Sequence, residues 1–301
     1  MLVDRIGNTP LVRLERIVDG LSSAVEVWAK LEWFNPGGSV KDRAAWSIIR
    51  DAEENGRILP GMRLLDSSSG NTGIAYGMIA ATRGHQLTLC LPANANRERK
   101  KILRAYGVEV VETDPLEGSD GAIRAARALI EENPGKYLYL DQYGNDANWR
   151  AHYRSTAPEI WRDTRGRVSH WVAGLGTSGT FMGTSRRLKE YDPRIQCVSV
   201  EPDSPFHGLE GLKHMETAIV PRIYDATLAD AALGAPTEAS IALMRCLARE
   251  EGLLVGPSAA AACWGALQVA RQIDAAGETG VVVTLFPDSG ERYLSEDHLW
   301  A

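Results

Sequence analysis

The chain is 301 residues long, 44% hydrophobic and 24% charged, which suits a globular α/β protein with room for two modest domains and a sizeable core. A formal net charge of −6, with no basic stripe and no arginine-rich run, gives nucleic-acid binding no electrostatic support. No apolar stretch is long enough to span a bilayer, and the opening residues, with Asp4 and Arg5, lack an apolar leader core, so a cytoplasmic protein without a membrane partner is expected.

In Asn35-Pro36-Gly37-Gly38-Ser39-Val40-Lys41-Asp42-Arg43, a turn built from proline and two glycines delivers Lys41 to the start of a helix. That helix continues through Trp46, Ile48 and Ile49, with Ser39 as its expected N-cap. The first helical turn carries unpaired N–H groups and the positive end of the dipole, which favours a neutral amine over an ammonium. A neutral lysine can form a Schiff base, and an exposed lysine beside a helix cap has the same local sequence. Next, Arg63-Leu64-Leu65-Asp66 predicts a strand, Ser67 to Gly73 a loop, and Ile74 onward an apolar helix ending at Gly84. Ser67, Ser68, Ser69, Asn71 and Thr72, with Gly70 and Gly73, can bring hydroxyls and backbone N–H groups close to a carboxylate, and Asn71 can reach a phenolic oxygen. A well-capped strand-to-helix turn of any α/β protein reads the same way.

Strands over Gln86 to Leu91 and Val108 to Glu112, followed by helices over Arg97 to Tyr106 and Gly121 to Glu132, continue the alternation and favour parallel sheets wrapped by helices. Arg97-Glu98-Arg99-Lys100-Lys101 is expected to form a solvated helix face. Further on, His170 to Ala173 predicts a strand, Gly174-Leu175-Gly176-Thr177-Ser178-Gly179-Thr180 a loop, and Phe181 to about Tyr191 a helix. The loop looks like a phosphate cradle. It matches Gly-x-Gly-x-x-Gly at Gly174, Gly176 and Gly179, and the strand Ile195 to Val200 runs into Glu201, so a dinucleotide site is an alternative. The hydroxyls of Thr177, Ser178 and Thr180 suit the several oxygens of a terminal phosphate monoester better than a pyrophosphate bridge. Last, Val281 to Phe286 is a continuous apolar run expected of a buried parallel strand, and Pro287-Asp288-Ser289-Gly290-Glu291-Arg292 follows it with polar groups. The strand-associated loops all lie at carboxyl ends, where open α/β sheets bind ligands. Cys90, Cys197, Cys246 and Cys263 are far apart, in apolar runs, without ligand spacing; they read as buried thiols, and no metal site is expected.

Taken together, these segments resemble the cysteine synthase (O-acetylserine sulfhydrylase) and cystathionine β-synthase family of fold-type II pyridoxal-phosphate enzymes, over nearly the whole chain. Ile6-Gly7-Asn8-Thr9-Pro10-Leu11-Val12 is similar to that family's N-terminal signature, and Asn35 to Arg43 to its Schiff-base lysine segment. The resemblance implies a two-domain α/β fold of the tryptophan synthase β type, each domain a mainly parallel twisted sheet wrapped by helices. A smaller mobile domain over 42–144 would carry the substrate-carboxylate loop. A larger one, 1–41 plus 145–301, would carry the phosphate cradle, with pyridoxal 5′-phosphate in the cleft between them. By the same resemblance Lys41 would hold the cofactor and act as the catalytic base, and Asn71 would bond its 3′-oxygen. Gly176, Thr177, Ser178, Gly179 and Thr180 would wrap its phosphate, and Ser289 would face the pyridine nitrogen. Ser68, Ser69, Asn71, Thr72 and Gln142 would grip the substrate. A neutral serine opposite the ring nitrogen suits elimination of a β-leaving group; the neighbouring Asp288 is the other candidate for that place.

The implied reaction is β-replacement through an aminoacrylate to give L-cysteine, from O-phosphoserine or O-acetylserine and a sulfur donor. In Glu201 to Met215, where acetylserine enzymes carry a glycine-rich segment, this chain has Lys213 between Leu212 and His214. It resembles there the branch in which a basic side chain recognises O-phosphoserine. An ammonium can anchor a phosphate, and a solvated lysine beside Glu210 and Glu216 has the same sequence. His207 and His214 read as surface or packing residues. Asp146, Ala157 and the Gly256-Pro257-Ser258-Ala259-Ala260 run depart from the family pattern without removing a proposed catalytic group. Cystathionine β-synthase or S-sulfocysteine synthase activity is the alternative within the family, and an NAD-dependent oxidoreductase the alternative outside it. Sulfide, thiosulfate, homocysteine and a sulfur-carrier protein are candidate donors, and a homodimer is implied by resemblance.

Overall fold

The computed structural model describes residues 1–300. In chain order its strands are β1 (Leu11–Leu14), β2 (Val25–Leu31), β3 (Arg63–Ser67), β4 (Leu87–Pro92), β5 (Glu109–Thr113), β6 (Tyr137–Tyr139), β7 (His170–Gly174), β8 (Gln196–Pro202), β9 (Ala231–Ala235) and β10 (Gly280–Phe286). The principal helices are α1 (Lys41–Glu54), α2 (Asn71–Arg83), α3 (Arg97–Ala105), α4 (Gly118–Glu132), α5 (Asp146–Arg154), α6 (Thr156–Asp163), α7 (Gly179–Tyr191), α8 (Thr237–Cys246) and α9 (Pro257–Ala275). The chain divides into two compact units, one of Met1–Ile6 with Lys41–Asn148, the other of Gly7–Val40 with Trp149 onward.

In the first unit four parallel strands run in the order β5-β4-β3-β6. Successive strand residues face opposite sides, so Leu64 and Leu89 join a core with Ile74, Ile79 and Ile48 under α1 and α2, while Leu65 and Cys90 join Ala122 and Ala126 of α4 on the other face. Every residue of β4 is buried, as expected of a parallel strand covered on both faces. From β3 the chain steps outward to β4 and β5 and then returns to β6, on the other side of β3. The sheet therefore has a topological switch point between β3 and β6, and ligands in open α/β sheets bind at such a crevice.

The second unit has a six-stranded sheet in the order β1-β2-β10-β7-β8-β9, parallel except for β1, which pairs antiparallel with β2. The apolar run of β10 is buried along its whole length, from Gly280 to Phe286. Val282 and Phe286 face the core with Ala259, Ala266 and Ala270 of α9, whereas Val281, Val283 and Leu285 face Phe181, Leu188 and Ile160 of α7 and α6. Small alanines let α9 lie close across the strands. Here too the strand order reverses: β7 leads to β8 and β9 on one side, and β10 returns on the other, so the loops after β7 and β10 share a switch point.

Several boundaries differ from the sequence expectation. Helix α2 begins at Asn71, three residues before Ile74, and α7 begins at Gly179, two before Phe181. Strand β8 extends to Pro202, so Glu201 lies within it. Ser39 lies just ahead of α1. It pairs with Asp288 in an isolated antiparallel bridge, and the helix starts two residues later at Lys41.

Candidate active site

At the β3/β6 switch point the chain leaves β3 through Ser67-Ser68-Ser69-Gly70 and enters α2 at Asn71. Ser68 organises the turn: its Oγ accepts the N–H of Gly70 at 3.3 Å and of Gly73 at 3.0 Å, and its own N–H donates to Cys90 O at 3.1 Å. Ser68, Ser69 and Asn71 are half-buried and Thr72 is buried, at the end of the helix where N–H groups and the dipole favour an anion. Gln142 follows β6 and is buried. Its Nε2 donates to Ser67 O at 2.7 Å, and its carbonyl accepts from Asn148 Nδ2 at 2.6 Å. Five residues expected to grip a substrate thus gather at one crevice. Lys41, in the same unit, is half-buried and opens α1, immediately after Val40, whose N–H donates to Pro287 O at 2.9 Å.

Asp66 stands out only in the structure. It is fully buried, its Oδ1 accepting from Ser67 N at 2.7 Å and its Oδ2 from Gln142 N at 3.2 Å. Burial pushes its pKa up to about 7, against the pull of those two N–H groups, and Asp141 nearby pushes the same way. In the sequence the only sign is an acid closing an apolar strand.

In the second unit the loop after β7 carries Gly174 to Thr180. A Cβ on Gly176 would lie 2.4 Å from the backbone oxygen of Gly211, so only glycine lets the 211–213 segment cross the loop this closely. Lys213 N then donates to Leu175 O at 2.8 Å, which brings the half-buried Lys213 to this loop. Ser178 adopts φ +68° as the N-cap of α7, and its hydroxyl is buried without a protein partner. A buried donor left over at the N-terminus of a 13-residue helix fits an oxyanion such as a phosphate. Thr180 Oγ1 lies 3.3 Å from Nε2 of His152, whose Nδ1 is 2.9 Å from Thr156 Oγ1; His152, 1% exposed, links α5, α6 and α7 and had no signature in the sequence.

Beyond β10, Asp288 is fully buried and accepts a 2.7 Å hydrogen bond from the Tyr293 hydroxyl. Ser289 is half-buried, and its Oγ accepts from Glu291 N at 3.3 Å. Glu201, the acid a dinucleotide site would need for a ribose, instead accepts from Met215 N at 2.8 Å, so its carboxylate tethers the Lys213 segment. His207 Nδ1 accepts from Leu209 N at 3.2 Å and His214 Nδ1 lies 3.0 Å from Thr217 Oγ1, contacts that order their own turns.

Two mainly parallel sheets whose strand order reverses, one with a hydroxyl-rich loop and the other with a glycine-rich loop at the switch point, accord with a family model described as pyridoxal-phosphate dependent enzyme, which matches residues 2–288. The chain belongs to that family. Within it, the cysteine synthase of Aquifex aeolicus is 52% identical over 291 residues, covering 96% of this chain and 89% of the relative. Cysteine synthase B of Salmonella typhimurium is 43% identical, covering 98% and 94%. The solved cysteine synthase (OASS) of Entamoeba histolytica superposes with a TM-score of 0.94 at 35% identity, covering 100% of this chain and 90% of that one.

Proposed function

We propose that this chain is a cysteine synthase, replacing the β-substituent of an activated serine with a sulfur nucleophile to give L-cysteine. The observation that carries the reading is the loop set at the two switch points, on a chain similar end to end to cysteine synthases. Pyridoxal 5′-phosphate, when bound, supplies the electron sink that acidifies the substrate's α-proton and lets the β-substituent depart with its bonding pair. Lys41 would hold the cofactor covalently, and with substrate bound its Nζ would remove the α-proton and return it after sulfur has added at Cβ. Ser68, Ser69, Asn71, Thr72 and Gln142 bind the substrate's carboxylate and hold its Cα–H toward the base, and Asn71 also bonds the cofactor's ring oxygen. Gly176 to Thr180 take the phosphate, with the left-over hydroxyl of Ser178 as one donor. Ser289, neutral and more exposed than Asp288, takes the ring nitrogen.

For the first substrate, O-phosphoserine is favoured over O-acetylserine. Lys213 supports this, because its backbone is pinned to Leu175 beside Gly176 rather than carried on an open loop. The test is an absorption titration of the cofactor-loaded protein with O-phosphoserine and, separately, O-acetylserine, each followed by sulfide-dependent cysteine release. Tighter response to phosphoserine, lost in Lys213→Ala, is the expected result. Response to acetylserine alone removes the role of Lys213, and response to neither removes the proposed activity.

A further inference from the structure

We infer that Asp66 is a positioning residue for substrate binding: its carboxylate, shared between the backbone N–H groups of Ser67 and Gln142, fixes the spacing between the Ser68–Thr72 loop and the Gln142 side chain. The inference rests on the proposed role of those residues in gripping the substrate carboxylate.

Ser67 ends β3, and Gln142 lies three residues past the end of β6. One oxygen of Asp66 holds each, at 2.7 Å and 3.2 Å, and the clamp closes through the 2.7 Å bond from Gln142 Nε2 back to Ser67 O. The two segments that must converge on one carboxylate are thereby referred to a single buried group.

Stability alone does not account for such a residue. The groups facing Asp66 are Tyr76 from α2, Tyr139 from β6, Cys90 from β4, and Asp141 and Tyr143 from the turn after β6. None of these carries positive charge, and Asp141 repels it, so an ionised Asp66 is costly to bury. What it gains is the two amides, with the Tyr76 hydroxyl as a further, weaker pull. An ionised carboxylate accepts from both at full strength, whereas an asparagine offers one acceptor and one donor and must leave one amide unmatched. Protonation weakens the clamp in the same sense, and burial sets that protonation at about pH 7.

Two measurements on the cofactor-loaded protein test this. In the wild type, the backbone amide resonances of Ser67 and Gln142 should shift together with pH, with one midpoint near 7. By calorimetry at pH 8, Asp66→Asn should weaken L-serine binding about fivefold, the worth of one lost hydrogen bond, with KM for the β-substituted substrate rising more than kcat falls. Wild-type affinity should also weaken from pH 8 to pH 6 while the variant's stays flat. Independent titration of the two amides, or unchanged affinity and pH profile in Asp66→Asn, overturns the inference. Failure of the wild type to turn over either activated serine sinks the proposed function instead, and the amide titration, which needs neither turnover nor a variant, still decides whether Asp66 couples the two segments.

Discussion

Lys30 shows what a single buried charge does in this molecule. It is 0% exposed, 2.8 Å from Glu159 and 3.6 Å from Asp163, and its Nζ also donates to Thr9 O at 2.7 Å. Glu159 in turn accepts the N–H of Asn8 at 3.0 Å, and Thr9 Oγ1 donates to Glu32 at 2.7 Å. The polar part of the N-terminal signature is therefore held by an ion-pair network with α6, while Ile6, Leu11 and Val12 pack against the cores. Lys30→Met leaves Glu159 buried without its cation and should cost about 3 kcal/mol of unfolding free energy, read from urea denaturation. A midpoint equal to wild type would show that the network contributes nothing net. Asp66 gives the opposite dependence on pH from a salt-bridged acid. Its folded pKa is raised, so its contribution to stability is fully present below the unfolded value of 3.8 and is lost as pH rises through about 7. Relative to Asp66→Asn, wild type should therefore lose stability between pH 5 and pH 8; a constant difference across that range would mean that Asp66 keeps an ordinary pKa.

Among the elements, what was legible in the sequence followed hydrophobic periodicity, and what was not followed polar contacts. The apolar run of β10 and the strand-loop-helix units around Ser67 and Gly174 could be read directly, because buried parallel strands and turn residues have local signatures. The first turns of α2 and α7 could not, since Asn71, Thr72, Gly179 and Thr180 carry no apolar stripe; Gly70 and Ser178 start those helices instead. Nor could the clamp at Asp66, whose partner Gln142 is 76 residues away, or the link from His152 to Thr180. Helices α5 and α7 meet where a Cβ on Gly183 would lie 1.9 Å from Trp149 O. Gly183→Ala must force backbone apart and should cost roughly 1–3 kcal/mol. Because α7 starts at the loop proposed to take the cofactor's phosphate, cofactor affinity, followed by visible absorption, should fall with it; full retention of both would mean that α5 yields without moving the loop.

For the whole molecule, composition allowed a globular protein with a sizeable core while the strand-helix alternation pointed to the α/β class, and the cysteines are a simple check on how much of the chain is sealed. Cys90, Cys197 and Cys263 are buried, with burial pushing all three thiols up and those of Cys90 and Cys197 to about 11; Cys246 is half-exposed. A water-soluble thiol reagent should modify no more than one of the four cysteines in native protein and all four after denaturation. Labelling of two or more under native conditions would show that one of the cores opens readily. Among the described residues no helix is long and apolar enough to cross a membrane, and no cluster of side chains could hold a metal ion.

The pairing of β2 with β10 also sets a timetable for synthesis. Val25 to Leu31 leave the ribosome early, yet their parallel partner Gly280 to Phe286 is made about 250 residues later. Until then one edge of β2 is without its ladder, and the Ser39–Val40 stretch just before Lys41 lacks its bonds to Pro287 and Asp288. A nascent chain stalled before β10 therefore exposes an unpaired apolar strand to aggregation and holds Lys41 on an unanchored lead, so if Lys41 is the cofactor lysine proposed above, competence to load cofactor arrives only with the last tenth of translation.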